Sequence, residues 1–219
     1  LRHIRDCLNA RGVLGLKNSL LLSAGTALGG TVIAAFAAYA AARHRGGLAR
    51  SVHLLSTLTL SIPGLVLGLA YVLAFKRTAL YETMGILIFS SIIHFFTTPY
   101  LMLYQTFGKL NANLEGTGRV LGVPPFCLFA NVFLPQCAET LLDMFSYFFL
   151  NAMVTISAVS FLATAQTRPL SMLVTQYSDQ INPEGAAVLS FFILAINLLV
   201  RGIVFLLKHL LCTPARAAQ

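Results

Sequence analysis

Acids, imidazoles and amides are scarce in this 219-residue chain, and their placement decides which chemistry is open to it. Polar side chains recur inside long apolar stretches: Thr57, Thr59 and Ser61 ahead of Pro63, then His94, Thr97 and Thr98, then Asn151, Thr155 and Ser157, and finally Asn197. Polar groups are expensive in a lipid-embedded helix, so each is a candidate for lining a solute path. Each Thr or Ser has a competing structural role, a bond from its hydroxyl to the helix's own backbone. For His94 the competing role is an interhelical bond. No carboxylate lies deep in an apolar stretch, since Glu139 and Asp143 sit near one end of theirs. An ion-coupled carrier or channel component would need paired acids inside its spans. H-E-x-x-H and G-x-S-x-G are absent, which argues against a membrane-embedded enzyme, and there is no G-x-x-x-x-G-K-[ST] to hold ATP. Cys7, Cys127, Cys137 and Cys212 have neither C-x-x-C spacing nor a His partner pattern, so no zinc or redox motif, metal site or structural disulfide is expected.

The elements that must position these residues are membrane spans. Hydrophobic residues make up 57% of the chain and charged residues only 10%, with mean hydropathy +0.79. A soluble domain carries about a quarter charged residues, so this chain cannot coat a water-facing surface. Five apolar blocks reach the roughly 20 residues that a helix needs to cross a bilayer. They are Ser19 to Ala42, Leu54 to Phe75, Thr83 to Tyr104, Leu141 to Ala163 and Ala186 to Leu207. None alternates in polarity as barrel strands do. The expected fold is therefore an all-α, polytopic bundle of five spans. Gly25 and Gly29, and again Gly64 and Gly68, repeat at the spacing that lets helix backbones approach closely, read here as packing within the subunit. Pro63 should kink the second span.

The net charge of +8 comes from Lys and Arg between the blocks, not from a basic stripe with interleaved aromatics, so nucleic acid is not an expected partner. Arg43, Arg45, Arg50, Lys109, Arg119, Lys208 and Arg216 share one side of an alternating topology. Lys76, Arg77 and Arg168 share the other with Arg2, Arg5, Arg11 and Lys17. The positive-inside rule favours the first side as cytoplasmic when the N-terminal segment is left out, and is balanced when it is included. Arg201 can snorkel to the interface as an anchor, and Asp143 suits an interfacial cation.

The connection from Thr106 to Thr140 is the longest and the most patterned. Asn111 or Asn113 can cap a short helix with Glu115 in its first turn. Gly122 suits a left-handed residue after the helix end, and Pro124 and Pro125 forbid continuation. A second helix should then lead through Phe126 to Phe133 into the fourth span. Gly116 and Gly118 each weaken the first helix by about 1 kcal/mol relative to Ala, which invites a reason such as close approach by a partner.

The stretch from Leu114 to Pro135 resembles the E-A-A loop of bacterial ABC importer permeases, E-A-A-x-x-x-G-x(9)-I-x-L-P. Gly122 serves as the anchor glycine, and nine residues separate it from Val132, Phe133, Leu134 and Pro135. The family's E-A-A falls on Gly116, Thr117 and Gly118, with Glu115 one residue earlier. Arg119, Leu121 and Gly122 fit the common A-R-x-L-G ending. N-S-L-L-L-S-A-G-T-A-L from Asn18 resembles the family's opening of the permease core, and I-P-G-L-V-L-G-L-A-Y from Ile62 resembles the second core span of its iron(III), phosphonate, polyamine and sulfate-type branch. T-I-S-A-V-S-F-L from Thr155 is similar to iron(III) and 2-aminoethylphosphonate permeases, often two fused halves, of which this chain resembles the C-terminal one. The resemblance implies a cytoplasmic coupling loop at about 106–140 and an extracytoplasmic segment at 1–17. It also implies a permease domain over 18–211 and a cytoplasmic tail over 212–219. It further implies two ATPase subunits that bind ATP–Mg, a second permease half, a periplasmic binding protein and a bacterial inner-membrane location, with no cofactor or catalysis on this chain. ATPase contact is expected from Leu114, Glu115, Thr117, Arg119 and Leu121. Iron(III), a phosphonate, a polyamine and an oxyanion all remain open as solutes, with the first two ranked ahead.

Overall fold

The computed structural model describes residues 10–44, 46–180 and 183–216, and every regular element among them is helical. Helix α1 (Ala10–Arg43) is long and apolar enough to cross a bilayer alone, as is the C-terminal α11 (Pro183–Arg216). Between them come α2 (Gly47–Leu58), a 3₁₀ turn (Thr59–Ser61), α3 (Gly64–Phe75), α4 (Met84–Phe95) and α5 (Thr97–Lys109). The short α6 (Leu114–Val120) and α7 (Pro125–Leu128) follow. A π-helical turn (Phe129–Phe133), α8 (Leu134–Gln136), α9 (Ala138–Val154) and α10 (Leu170–Asp179) complete the order.

Five spans result when each bent pair is taken as one, and the bends are larger than the sequence suggests. Pro63 does not kink a continuous helix. The residue before a proline is pushed toward extended backbone, and Ile62 is extended at φ −100°, ψ 118°. Pro63 then starts α3, whose axis departs by 111° from the preceding α2 segment. The third span bends by 54° at Phe96, between α4 and α5. The fourth is not helical from Leu141 to Ala163: α9 stops at Val154, and Thr155 turns into an irregular stretch that runs to α10.

α1 is the hub, packing against α9, α5, α4 and α2. Its small residues make this possible, because Ala27, Ala34 and Ala38 are fully buried and let neighbouring helices close in. A β-carbon at Gly25 would stand 2.7 Å from Ile88 Cδ1, and one at Gly30 would stand 2.8 Å from the Phe148 ring. Gly29 faces Ile92, so the first glycine pair packs within the subunit. α11 leaves most of its apolar side chains exposed, as a lipid- or partner-facing helix does.

The start of α1 grips the irregular stretch that leads into α10. Asn18 Nδ2 donates to the carbonyls of Gln166 (2.7 Å) and Arg168 (3.1 Å), and Ser19 Oγ accepts from Leu170 N–H at 2.7 Å. Residues 10–17 of the N-terminal segment are thus the first turns of α1, while residues 1–9 lie outside the described residues. At the other end, residues 212–216 of the tail continue α11, and 217–219 lie outside.

Candidate functional site

The loop between the third and fourth spans keeps its expected order, but it starts on a different turn. Its second helix passes through a π-helical turn and a 79° bend before α9. Asn111 Oδ1 accepts the N–H of Asn113 at 2.9 Å, an Asx turn that delivers the chain into α6, whereas Asn113 makes no side-chain cap. The helix closes in a Schellman motif, with Val123 N–H on Gly118 O (2.9 Å) and Gly122 N–H on Arg119 O (3.1 Å). Gly122 has φ +70°, the left-handed conformation that favours glycine. Pro124 and Pro125 then start α7 without sacrificing a helix hydrogen bond.

Arg43, the last residue of α1, anchors this loop. Its Nε and Nη2 donate to Glu115 Oε1 and Oε2, both at 2.6 Å. Nη1 donates to Phe107 O (3.3 Å) and Leu110 O (3.1 Å), and Nη2 also donates to Asn111 O (2.7 Å). All five guanidinium hydrogens are therefore used. The group also lies 5.1 Å from the centroid of the Phe133 ring. One side chain joins the ends of α1 and α5, the first turn of α6 and the π-turn. The Arg43 hydrogen bonds hold the Glu115 carboxyl below the usual carboxylate range.

The two faces of α6 differ accordingly. Leu114, Glu115 and Gly118 point toward the protein, where Leu114 packs on the main core and a β-carbon at Gly118 would press on Leu128 Cδ2 at 3.2 Å. Gly116, Thr117, Arg119, Val120, Leu121 and Gly122 are exposed, and a β-carbon at Gly116 would meet nothing within 4 Å. Downstream, Leu134 packs on the core and Pro135 is exposed. ATPase contact was expected of Glu115, whose carboxylate the fold turns onto Arg43. Arg43 itself was missed as a functional residue, because nothing in the chain distinguishes it from Arg45 or Arg50 as the partner of Glu115.

The polar span residues separate into three groups. The first gathers where the second, third and fourth spans are all interrupted. Thr97 Oγ1 donates to Ser56 O at 2.8 Å, so the 2.7 Å contact between Thr59 and Thr97 has the Thr59 hydroxyl as donor. His94 and Ser157 close on the backbone of Gly64. A β-carbon there would stand 2.5 Å from Ser157 Oγ and 2.9 Å from His94 Cε1. Gly68 likewise faces Ala158 O at 3.0 Å, so the second glycine pair also packs within the subunit. Ser90 Oγ donates to that same carbonyl at 3.2 Å, another contact that periodicity could not foresee. Ser61 and Thr98 lie on the flanking turns, exposed and half-buried respectively. Thr57 bonds to the carbonyls of His53 and Leu54, the backbone role weighed for it.

The second group lies in a cleft of about 350 Å³ lined by Met102, Asp143, Tyr147, Asn151, Arg201 and Lys208. Lys208 Nζ lies 2.5 Å from Asp143 Oδ1, the cation that Asp143 calls for. Asn151 Nδ2 donates to Tyr147 O. The third group is Thr155, buried under Ser171, which donates to its carbonyl at 2.7 Å, and Asn197, whose buried Oδ1 has no partner among the described residues.

Residues 20–211 match the family described as binding-protein-dependent transport system inner membrane component. The chain is 28% identical over 194 residues to the Fe(3+)-transport system permease protein FbpB 2 of Haemophilus influenzae, covering 87% of this chain and 38% of that protein. It is 29% identical over 132 residues to a spermidine/putrescine transport system permease protein PotC homolog of Mycoplasma pneumoniae, covering 58% of this chain and 46% of that one. The chain thus spans less than half the length of these relatives. Its fold matches a bacterial alginate ABC transporter solved with an alginate pentasaccharide-bound periplasmic protein, with TM-score 0.77 at 13% identity over 94% of this chain and 81% of that chain. A second solved structure, a bacterial ABC transporter involved in the import of alginate, matches with TM-score 0.76 at 15% identity over 93% of this chain and 82% of that chain. The chain belongs to the family of inner-membrane components of binding-protein-dependent transport systems.

Proposed function

We propose that this chain is the transmembrane permease subunit, or one half of a fused permease, of an ATP-driven importer in the bacterial inner membrane. The observation that carries this reading is the Arg43 clamp, which makes α6 one rigid unit with the ends of α1 and α5. A push on α6 from the cytoplasm therefore moves two spans. In this reading α6 seats on one of two ATPase subunits, which bind ATP–Mg, while this chain hydrolyses nothing. A second permease half completes the path, and a periplasmic binding protein delivers the solute.

The path itself is best supported at the interrupted spans, where Thr59 meets Thr97 and where His94 and Ser157 close on Gly64. Non-helical backbone at membrane depth is tolerated where it is buried in protein or lines a cavity. Iron(III) is the favoured solute, because ferric-transport permeases are among the relatives, and a phosphonate stands second. Reconstitution with ATPase and binding protein in liposomes tests the assignment: uptake should require ATP. Uptake independent of ATP would overturn it, and failure of both iron(III) and 2-aminoethylphosphonate uptake would overturn the solute ranking alone.

A further inference from the structure

Because Arg43 consumes the acid of α6, the surface left for a partner has an unusual chemistry for a contact that moves force between proteins. The outward face consists of Gly116, Thr117, Val120 and Leu121, followed around the turn by Val123 and Phe126. Val120 is 88% exposed, Leu121 70% and Phe126 69%, large values for apolar side chains in a connecting loop. The charge shown outward by α6 is cationic, on Arg119. At Gly116 no side chain covers the backbone, so a partner can reach the helix itself.

Lipid is a poor occupant for this face. α6 lies beyond the charged ends of its spans, Arg43 on α1 and Lys109 on α5, and carries Glu115 and Arg119 in its seven residues. Clustered apolar side chains next to an exposed backbone are what a close-packed protein contact uses.

We propose that this permease engages its ATPase through the apolar face Thr117–Val120–Leu121 with Phe126 beside it, and not through a loop carboxylate. The ATPase cleft should then be apolar, with an acidic rim placed to meet Arg119. This rests on the permease reading above and states the chemistry of its partner surface.

The test is capture of the co-expressed ATPase subunit by the tagged full chain in nanodiscs, at 50 and 500 mM NaCl. Capture by the unchanged chain should fall by less than about 3-fold between the two salts, because apolar contacts are not screened. Leu121→Asp should cut capture about 10-fold or more, since it buries an unpaired charge. Gly116→Glu, which puts an acid on the outward face, should weaken capture as well. Glu115→Gln should leave capture within about 3-fold of the unchanged chain while lowering its melting temperature, because its role is internal. Steep loss of capture in salt, tighter capture by Gly116→Glu, or loss by Glu115→Gln with full retention by Leu121→Asp would each overturn the proposal. A Leu121→Asp chain that keeps the ATPase yet leaves the bilayer more readily would assign the face to lipid and overturn it too. Absence of the ATPase from every capture, the unchanged chain included, would instead overturn the permease reading.

Discussion

The Arg43 guanidinium holds both carboxylate oxygens of Glu115 at 2.6 Å, across 72 residues of sequence and at the meeting point of α1, α5 and α6. Arg43 is almost fully covered, its side chain 7% exposed against 23% for Glu115. Arg43→Ala would strip Glu115 and three backbone carbonyls of their donor at once. A loss of about 2–3 kcal/mol is expected from charge-assisted hydrogen bonds of this kind. Arg43→Lys should recover little of it, since an ammonium cannot reproduce the planar fork. Thermal unfolding of the detergent-solubilised chain measures both. In the reconstituted importer, Arg43→Ala should leave ATP hydrolysis running while solute uptake falls, because α6 no longer moves its spans.

The same pair sets a pH dependence. Hydrogen bonding to Arg43 lowers the folded-state pKa of Glu115 below the ordinary carboxylate value of about 4.3. A depressed pKa contributes stability that is fully present above the unfolded value and is lost as pH falls through the folded one. The difference in melting temperature between the unchanged chain and Glu115→Gln should therefore be constant from pH 8 to about pH 5 and shrink below about pH 4. A difference that stays constant to pH 3 would show that Glu115 is not held by the guanidinium.

The loop glycines should respond to substitution in different ways. Gly116→Ala adds a methyl in open space within a helix and should stabilise α6 by up to about 1 kcal/mol. Gly122→Ala forces a side chain to φ +70° and should cost about 1–2 kcal/mol. Gly118→Ala falls between, since Leu128 must yield a few tenths of an ångström. Melting curves of the three variants rank them.

Gly64→Val tests the interrupted spans. Its side chain would collide with Ser157 Oγ and the His94 ring, so transport should be lost. The companion Ser157→Ala removes the nearest atom, and the double variant should regain part of the lost melting temperature. No regain would mean that these three residues do not share a contact.

The number of spans and the loop architecture were legible in the sequence because bilayer-length apolar blocks, Gly122 and the Pro124–Pro125 pair are local signals. The interruptions were only half legible. Pro63 announces a disturbance, yet its 111° consequence depends on α3 packing against Ser157 and Ala158, nearly a hundred residues away. The end of α9 at Val154 was hidden, since apolar residues continue to Ala163 and hydropathy cannot separate helix from turn within a buried block. Glu115 was legible as an acid in the first turn of the loop helix, but its pairing with Arg43 was not. Which face a seven-residue helix turns inward depends on the Arg43 that reaches it, and one sequence carries no record of that pairing. The polar span residues were recognised as a set, but their division among the interrupted spans, the Asp143–Lys208 cleft and the Thr155–Asn197 region follows from helix rotation alone.

The grip of Asn18 and Ser19 on Gln166, Arg168 and Leu170 bears on how the chain is made. α1 is synthesised before the other described helices, with Asn18, Ser19, Ser23 and Thr26 on the stripe that ends up buried. The acceptors and donor that Asn18 and Ser19 need are synthesised some 150 residues later. Until then, that polar stripe faces lipid or the insertion machinery, and intramembrane polar groups without partners are costly. A nascent chain stopped before Gln166 therefore displays Asn18 and Ser19 unmet, a chemical label of incompleteness that the finished bundle erases.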